Sequence, residues 1–108
     1  MVIRVVQWSD LAKAQLKDIY DYYALTVNRK LAKKIVTKIV HRTDILTIHP
    51  YSGTKEPLLD ELPEEYRYLV VDNYKIIYSV YDKVVAIVSV FDCRQNPEKM
   101  AEQLKITS

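Results

Sequence analysis

The fold is decided by residues Tyr74–Pro97, which read YKIIYSVYDKVVAIVSVFDCRQNP. Two arms rich in β-branched and aromatic residues, Tyr74–Tyr81 and Val84–Phe91, flank the polar pair Asp82-Lys83. A two-residue polar break between such arms is typical of a β-hairpin. Apolar side chains occupy both odd and even positions of the second arm, so the pattern predicts a central strand that is covered on both faces.

Length and composition favour one compact domain spanning residues 1–108. Hydrophobic residues make up 49% of the chain and glycine occurs once, which excludes a disordered chain or a glycine-rich phosphate loop. Cys93 is the only cysteine, so one chain can form neither an internal disulfide nor a multi-cysteine zinc site. We expect no metal, nucleotide or organic cofactor. No signal peptide or membrane-spanning run is evident, so we expect a soluble, cytoplasmic protein without membrane contact.

The elements before the hairpin begin with a strand over Met1–Gln7. Ser9 can cap a first amphipathic helix that continues to about Ala24, and Asn28 can cap a second helix. Two helices joined so closely predict an antiparallel helical hairpin.

The residues that follow these helices contain prolines and the single glycine, so we expect an ordered loop over His49–Glu65. Tyr66–Val71 then reads as a strand, and Asn96 can cap a short helix that starts at Pro97. The order β-α-α-β-β-β predicts an α+β fold. In this fold the helical hairpin packs on a mostly antiparallel four-stranded sheet, and a short C-terminal helix or tail follows. The first strand is the one that can run parallel to a neighbour, because the helical hairpin is long enough for a crossover.

Charge is unevenly distributed although the net charge is only +2. The span Tyr22–Thr43 contains no acidic residue, and its second helix carries a ridge of cations at four-residue spacing. We call these residues the basic ridge: Lys30, Lys34, Lys38 and Arg42. Like charges at this spacing repel by a few tenths of a kcal/mol per pair, so the ridge indicates either an anionic partner or a solvated helix face.

Two arginines border the strands. Arg67 starts one strand and Arg94 follows the last one. They could converge at one end of the sheet with Lys75 nearby, as a cationic site for a target. Alternatively, each arginine pairs with an acid such as Asp92 or Glu65 and holds the tail.

Residues Tyr66–Val80 (YRYLVVDNYKIIYSV) and Ile87–Pro97 (IVSVFDCRQNP) resemble the RelE/ParE toxin superfamily. The shared features are an arginine-led strand, a turn, a Tyr-x-Ile-x-Tyr strand and a polar tail with an arginine. The element order and length extend this resemblance over the whole chain. It implies the toxin of a bacterial type II toxin–antitoxin pair, held inactive by a cognate antitoxin.

The resemblance leaves the cellular target open. Members similar to RelE and YoeB cut messenger RNA on the ribosome, which needs a general base, cations and an acid. Glu56 stands where those nucleases keep their base, and Lys75 stands where they have an arginine. Cys93 and Arg94 stand where those nucleases end in histidine and tyrosine, so the acid near the end is missing. If the protein is an endoribonuclease, the resemblance implies Glu56, Lys75 and Arg94 as the catalytic candidates.

Other residues favour members similar to ParE, which poison DNA gyrase without nuclease chemistry. Neither His41 nor His49 maps to the catalytic histidine of the nucleases, and both are expected at the surface. Four acids replace the cationic loop of RelE-like members: Asp60, Glu61, Glu64 and Glu65. An acidic rim weakens binding to ribosomal RNA. We therefore expect a ParE-like gyrase poison that uses Arg67, Arg94 and Lys75 to bind its target; a degenerate, non-toxic binding partner is the third alternative.

The antitoxin surface is expected on the helical hairpin. Tyr20, Tyr22 and Tyr23 span more than one helix face, so they cannot all be buried. An exposed tyrosine is a common interface anchor, which makes Tyr22 a candidate for antitoxin binding together with the basic ridge. The expected assembly is a homodimer or a toxin–antitoxin hetero-oligomer.

Overall fold

A computed structural model describes residues 2–107 of the chain and the side chains of residues 2–104. The strands are β1 (Val5–Trp8), β2 (Thr54–Lys55), β3 (Arg67–Val71), β4 (Tyr74–Val80) and β5 (Val84–Asp92). The helices are α1 (Asp10–Thr26), α2 (Arg29–Arg42) and α3 (Glu98–Thr107), with short 3₁₀ helices at Asp44–Thr47 and Pro57–Leu59. Met1, where the first predicted strand begins, and Ser108, the end of the predicted domain, lie outside the described residues. No helix within residues 2–107 is both long and apolar enough to cross a membrane.

The five strands form one mixed sheet in the order β1-β5-β4-β3-β2. β1 runs parallel to β5, and the other neighbours are antiparallel, as the sequence predicted. The predicted number of four strands is wrong by one. Thr54 and Lys55, within the predicted loop, pair with Tyr68 and Arg67 as a two-residue edge strand. So short a strand exists only through its partner, which local sequence does not reveal.

Side-chain caps start both helices of the hairpin where the sequence places them. The Ser9 hydroxyl accepts the Ala12 N–H at 3.1 Å, and the Asn28 side chain accepts the Leu31 N–H at 2.8 Å. Each cap satisfies one of the N–H groups that a helix start leaves without an intrahelical acceptor.

The sheet is covered on both faces, as predicted for its central strands. α1 and α2 cover one face and form the hairpin-side core, which contains Ala12, Ile39, Leu46, Leu69, Val71, Tyr74, Ile76, Tyr78, Val85, Ile87 and Val90. α3 and the second 3₁₀ helix cover the other face and form the tail-side core, which contains Leu59, Ile77, Phe91, Met100 and Leu104.

A β-bulge in β5 changes which of its residues share a face. Ile77 pairs with Ser89 whereas Tyr78 pairs with Ile87, so Val88 is an extra residue. Ile87 and Val90 consequently both face the hairpin-side core, although strict alternation puts them on opposite faces. The bulge lies where β1 ends and β5 loses one neighbour.

Beyond that point, Ser9, which caps α1, and Gln15 of α1 take over hydrogen bonding to β5. The Ser9 N–H donates to the Ile87 carbonyl at 2.9 Å, and the Ser9 hydroxyl donates to the Val88 carbonyl at 3.1 Å. The Gln15 side-chain oxygen accepts the Val90 N–H at 2.7 Å. These contacts provide hydrogen-bond partners for backbone N–H and C=O groups at the edge of β5 that would otherwise be buried without partners. They also fix α1 against the end of the sheet.

Candidate functional site

Glu56 and Lys75 form an ion pair on the tail-side face of the sheet. The Lys75 ammonium lies 2.8 Å from one oxygen of Glu56 and 4.3 Å from the centre of the Tyr68 ring. The other Glu56 oxygen accepts the Leu58 N–H at 3.1 Å, which caps the second 3₁₀ helix. The Glu56 side chain is fully buried, and that of Lys75 is 22% exposed.

This arrangement brings two of the candidate nuclease residues, Glu56 and Lys75, together. However, the carboxylate of Glu56, the candidate general base, is already engaged by hydrogen-bond donors of the protein. A general base must reach the proton that it removes, whereas the Glu56 carboxylate is enclosed by its two donors. Cys93 adjoins the pair, and burial raises the pKa of its thiol despite the nearby Lys75. A raised pKa reduces the thiolate fraction, so the environment does not activate Cys93 as a nucleophile.

Arg67 holds the segment between the first 3₁₀ helix and β2 against the sheet. Its guanidinium donates to the Gly53 carbonyl at 2.9 Å, pairs with Glu65 at 2.9 Å and lies 5.2 Å from the centre of the Tyr51 ring. The side chain is only 18% exposed. Its Nε atom is buried without a hydrogen-bond partner among the described residues. These contacts give Arg67 a structural role and leave little of it for an external partner.

Gly53 makes this close approach sterically feasible. Its N–H donates to the Tyr78 hydroxyl at 2.9 Å. A Cβ at this position would lie 2.7 Å from the Tyr68 carbonyl oxygen and closer still to the Tyr78 hydroxyl. Glycine is therefore required at position 53 because the fold leaves no space there for a Cβ atom. Burial raises the pKa of Tyr78, partly opposed by the Gly53 N–H and by Arg67, so the hydroxyl stays protonated.

Arg94 lies at the opposite end of the sheet and is clamped by Asp92. Its Nε and one terminal nitrogen donate to the two Asp92 oxygens at 3.0 and 2.8 Å. Hydrogen bonding from Arg94 lowers the pKa of Asp92, and the same contact raises the pKa of Arg94. Tyr23 of α1 lies near both Arg94 and Tyr74 and contributes to the raised pKa of each. The Arg94 side chain is nevertheless 55% exposed, so it is oriented but accessible.

The predicted convergence of Arg67, Arg94 and Lys75 is wrong. Arg67 pairs with Tyr78 across β3 and β4, whereas Asp92, two residues before Arg94, pairs with Tyr74. Four strand residues separate these positions, about 14 Å along the sheet. Lys75 and Arg67 also lie on opposite faces of the sheet, because Lys75 stacks on Tyr68 in the tail-side layer. The alternative prediction, that each arginine pairs with Glu65 or Asp92, is confirmed.

Tyr22 is exposed near the end of α1, and its side chain contacts Tyr23 edge to face. The ring centres are 5.1 Å apart, with an angle of 87° between the planes. Tyr22 is 55% exposed, and two further apolar residues close to it in sequence, Leu25 and Val27, are 87% and 56% exposed. The tip of the helical hairpin therefore presents an aromatic and aliphatic surface.

The basic ridge extends along the exposed face of α2. Lys38 pairs with Asp72 at 3.0 Å, where Asp72 adopts a positive φ of 52° in the turn between β3 and β4. Within the described part of the chain, Lys30, Lys34 and Arg42 form no ion pair. Three of the four ridge cations therefore have no acidic partner among the residues that the structure describes.

The histidines are exposed, as expected: His41 contacts Asp44 at 3.0 Å, and His49 lies in a surface segment. Among the described residues, no group of three or more His, Cys, Asp or Glu side chains is placed to hold a metal ion.

The sequence did not single out Tyr23, Tyr74 or Asp18 as members of the site around Arg94. All three line or adjoin a pocket between α1 and the tail. Tyr74 belongs to the Tyr-x-Ile-x-Tyr pattern, which was the available signal for it. Asp18 gives no such signal, because an exposed helix acid is common.

A family model described as the ParE toxin of the type II toxin–antitoxin system parDE matches residues 6–97. The fold is similar to a solved structure titled "Chromosomal ParDE TA system from P. aeruginosa", with a TM-score of 0.70 and 24% sequence identity. The alignment covers 83% of this chain and 96% of that chain, which at this identity establishes the likeness of the fold. A comparison with curated proteins found no match.

Proposed function

We propose that this chain, which belongs to the ParE toxin family of type II toxin–antitoxin systems, arrests growth by binding DNA gyrase until its cognate antitoxin neutralises it. Such a toxin would act in the cytoplasm, where gyrase is found. The proposal depends mainly on one observation: the only side chain in the position of a nuclease base, Glu56, is fully buried in an ion pair.

A nuclease mechanism would need Glu56 to leave Lys75 and the Leu58 N–H before it could accept a proton from a ribose hydroxyl. Breaking a buried charge pair costs about 3–5 kcal/mol, and the chain offers no histidine at the sheet end to act as the acid. Gyrase poisoning requires no such proton transfer, because it depends on binding a protein–DNA complex.

Arg94 is the residue that we expect to contact the target directly. It is half exposed, and Asp92 holds its planar fork in one orientation, which reduces the conformational entropy lost on binding. Arg67 and Lys75, the other target-binding candidates, are mostly buried and paired. Their proposed contribution is to hold the segment around Gly53 and Glu56 in place.

The antitoxin is proposed to bind the helical hairpin, through Tyr22 at its tip and the basic ridge of Lys30, Lys34, Lys38 and Arg42. An exposed aromatic ring beside aliphatic side chains suits an interface anchor. The unpaired cations of the ridge suit acidic side chains of the antitoxin. A toxin–antitoxin hetero-oligomer is therefore the proposed resting assembly.

Gyrase-dependent DNA cleavage and ribosome-dependent mRNA cleavage by the purified chain separate the two target classes. We expect DNA cleavage with gyrase, loss of that activity in Arg94→Ala, and retention in Glu56→Gln. Arg29→Ala is the matched control, because Arg29 is an exposed arginine at the start of α2, outside the site around Arg94. Ribosome-dependent mRNA cleavage that disappears in Glu56→Gln would contradict the proposal. Failure of the wild-type chain to arrest growth or bind gyrase would favour the degenerate, non-toxic alternative.

Antitoxin binding is tested with the cognate antitoxin, which is to be sought as the product of a short reading frame adjoining this one. Tyr22→Ala should weaken binding at least tenfold, as expected for an interface anchor, whereas Tyr81→Ala, an exposed tyrosine at the other end of the sheet, should not. Affinity should fall as salt rises because the ridge contacts are electrostatic. Equal binding by both tyrosine variants would remove Tyr22 from the interface.

A further inference from the structure

A pocket of about 400 Å³ lies between α1, the ends of β4 and β5, and the C-terminal tail. We call it the α1–tail pocket. Its apolar lining comes from Ile19, Val90 and Phe91, and its rim carries Tyr22, Asp18 and Arg94. The volume falls within the range of roughly 300–1,000 Å³ that is usual for ligand pockets. Tyr22 and Arg94, predicted as contacts for two different partners, thus line the same pocket.

The charges in the pocket do not favour an anion. Both oxygens of Asp92 accept hydrogen bonds from Arg94, so that pair is internally neutral. Asp18 is the remaining charged side chain of the lining, it is exposed, and it forms no ion pair within the described residues. Its neighbour Lys17 is engaged with Asp21 at 2.8 Å. The pocket therefore carries one carboxylate without a cation.

An aromatic face accompanies this carboxylate. Asp18 and Tyr22 are four residues apart on α1, so they lie on the same side of the helix, one turn apart. A cation held by a carboxylate can at the same time lie over an exposed aromatic ring, and the two attractions add in a partly desolvated pocket. The aliphatic stem of a lysine or arginine would pack on the apolar lining.

We infer that the α1–tail pocket receives a lysine or arginine side chain of the cognate antitoxin, held between the Asp18 carboxylate and the Tyr22 ring. The inference rests on the proposed function, because the pocket is continuous with the Tyr22 surface assigned there to the antitoxin. A polypeptide is the fitting occupant because Tyr22, Leu25 and Val27 extend an apolar surface from the pocket mouth towards the hairpin tip.

Two consequences follow for neutralisation. The bound segment must be acidic where it crosses the basic ridge and cationic where it enters the pocket, which fixes its direction along the hairpin. Arg94 lies on the rim of the same pocket, so the backbone of a segment that enters the pocket would compete with gyrase for access to Arg94. Neutralisation is then direct masking of the target-binding arginine.

The test measures affinity for the protein encoded by the adjoining reading frame with three variants of the full chain. Asp18→Asn should weaken binding about tenfold, and Asp18→Lys should weaken it further because the new charge repels the incoming cation. Asp60→Asn, which removes the same charge from an exposed site outside the pocket, should bind like the wild type. Thermal unfolding checks that all three variants are folded.

A second arm identifies the partner side chain. Each lysine and arginine of the antitoxin is replaced by alanine, and one replacement should lose no further affinity when combined with Asp18→Asn. Wild-type affinity in Asp18→Asn, or tighter binding in Asp18→Lys, would overturn the pocket assignment while leaving the proposed function intact. Absence of any complex with the wild-type chain would overturn both.

Discussion

The Glu56–Lys75 pair yields a prediction about stability that follows from its unequal burial. Lys75→Met removes the cation that pairs with the fully buried Glu56 carboxylate. Within the described residues, the Leu58 N–H is then the remaining hydrogen-bond donor to that carboxylate. An unpaired buried charge of this kind costs about 3–5 kcal/mol. Glu56→Gln instead keeps the shape and an oxygen for the Leu58 N–H, and Lys75 is 22% exposed and can move its ammonium towards water. That variant should lose about 1.5–3 kcal/mol.

Urea unfolding measures both losses. With a slope of about 2 kcal/mol per molar urea for a domain of this size, Lys75→Met should lower the midpoint by about 2 M and Glu56→Gln by about 1 M. The double variant Glu56→Gln/Lys75→Met removes both charges. It should be more stable than Lys75→Met alone, so the coupling energy should exceed the loss in Glu56→Gln and reach about 3 kcal/mol.

A loss of less than about 1 kcal/mol in Lys75→Met, or additive single losses in the double variant, would contradict a buried, coupled pair. Either result would mean that the Glu56 carboxylate is solvated or that the two side chains do not interact. Lys55→Met is the matched control, because Lys55 is exposed on the edge strand and forms no ion pair within the described residues. Its midpoint should stay close to that of the wild type.

Three other perturbations test separate parts of the structure. Gln15→Met leaves the Val90 N–H without its acceptor, so urea unfolding should show a free energy of unfolding lower by about 1–3 kcal/mol. Lys13→Met on the same helix should show no such loss. Gly53→Ala forces a Cβ to within 2.7 Å of a backbone oxygen and should lower the free energy of unfolding by about 1–3 kcal/mol, whereas Ser52→Ala at the neighbouring exposed position should be neutral. The pKa of Asp92 is lowered in the folded state, so its stabilising effect is complete above the unfolded-state pKa of about 4 and disappears as pH falls through the folded-state pKa. Thermal unfolding between pH 5 and 2 should therefore show a smaller acid loss for Asp92→Asn than for the wild type, and equal slopes would contradict this linkage.

Local patterns in the sequence were sufficient for the helix caps and for most strands. The Ser9 and Asn28 side chains reach N–H groups three residues away, so sequence alone contains both partners. The burial of β5 on both faces was also predictable, because apolar residues occupy both its odd and its even positions. The bulge at Val88 was not, since it depends on where β1 ends beside β5 and on Gln15 reaching across from α1.

The candidate site was harder to predict because its properties depend on distance across the fold. Glu56 and Lys75 are nineteen residues apart, and their contact requires the segment after β2 to fold back over the sheet. The resemblance to nucleases implied catalytic roles for both residues in the nuclease alternative, whereas the fold buries Glu56 in an ion pair with Lys75. Arg67 and Arg94 were grouped because each borders a strand, and the antiparallel register then places them at opposite ends of the sheet.

Arg94 differs from Arg67 and Lys75 in how much of its side chain an external partner can reach. Arg67 and Lys75 gain their partners from within the fold and are largely removed from water, so an external partner would have to break those contacts first. Arg94 is held by Asp92 from one edge only and keeps 55% of its side chain exposed. A partner can therefore bind or leave the outer side of Arg94 without disturbing the clamp. Because Asp92 is itself paired with Tyr74 in the sheet, the orientation of Arg94 does not depend on what its outer side contacts.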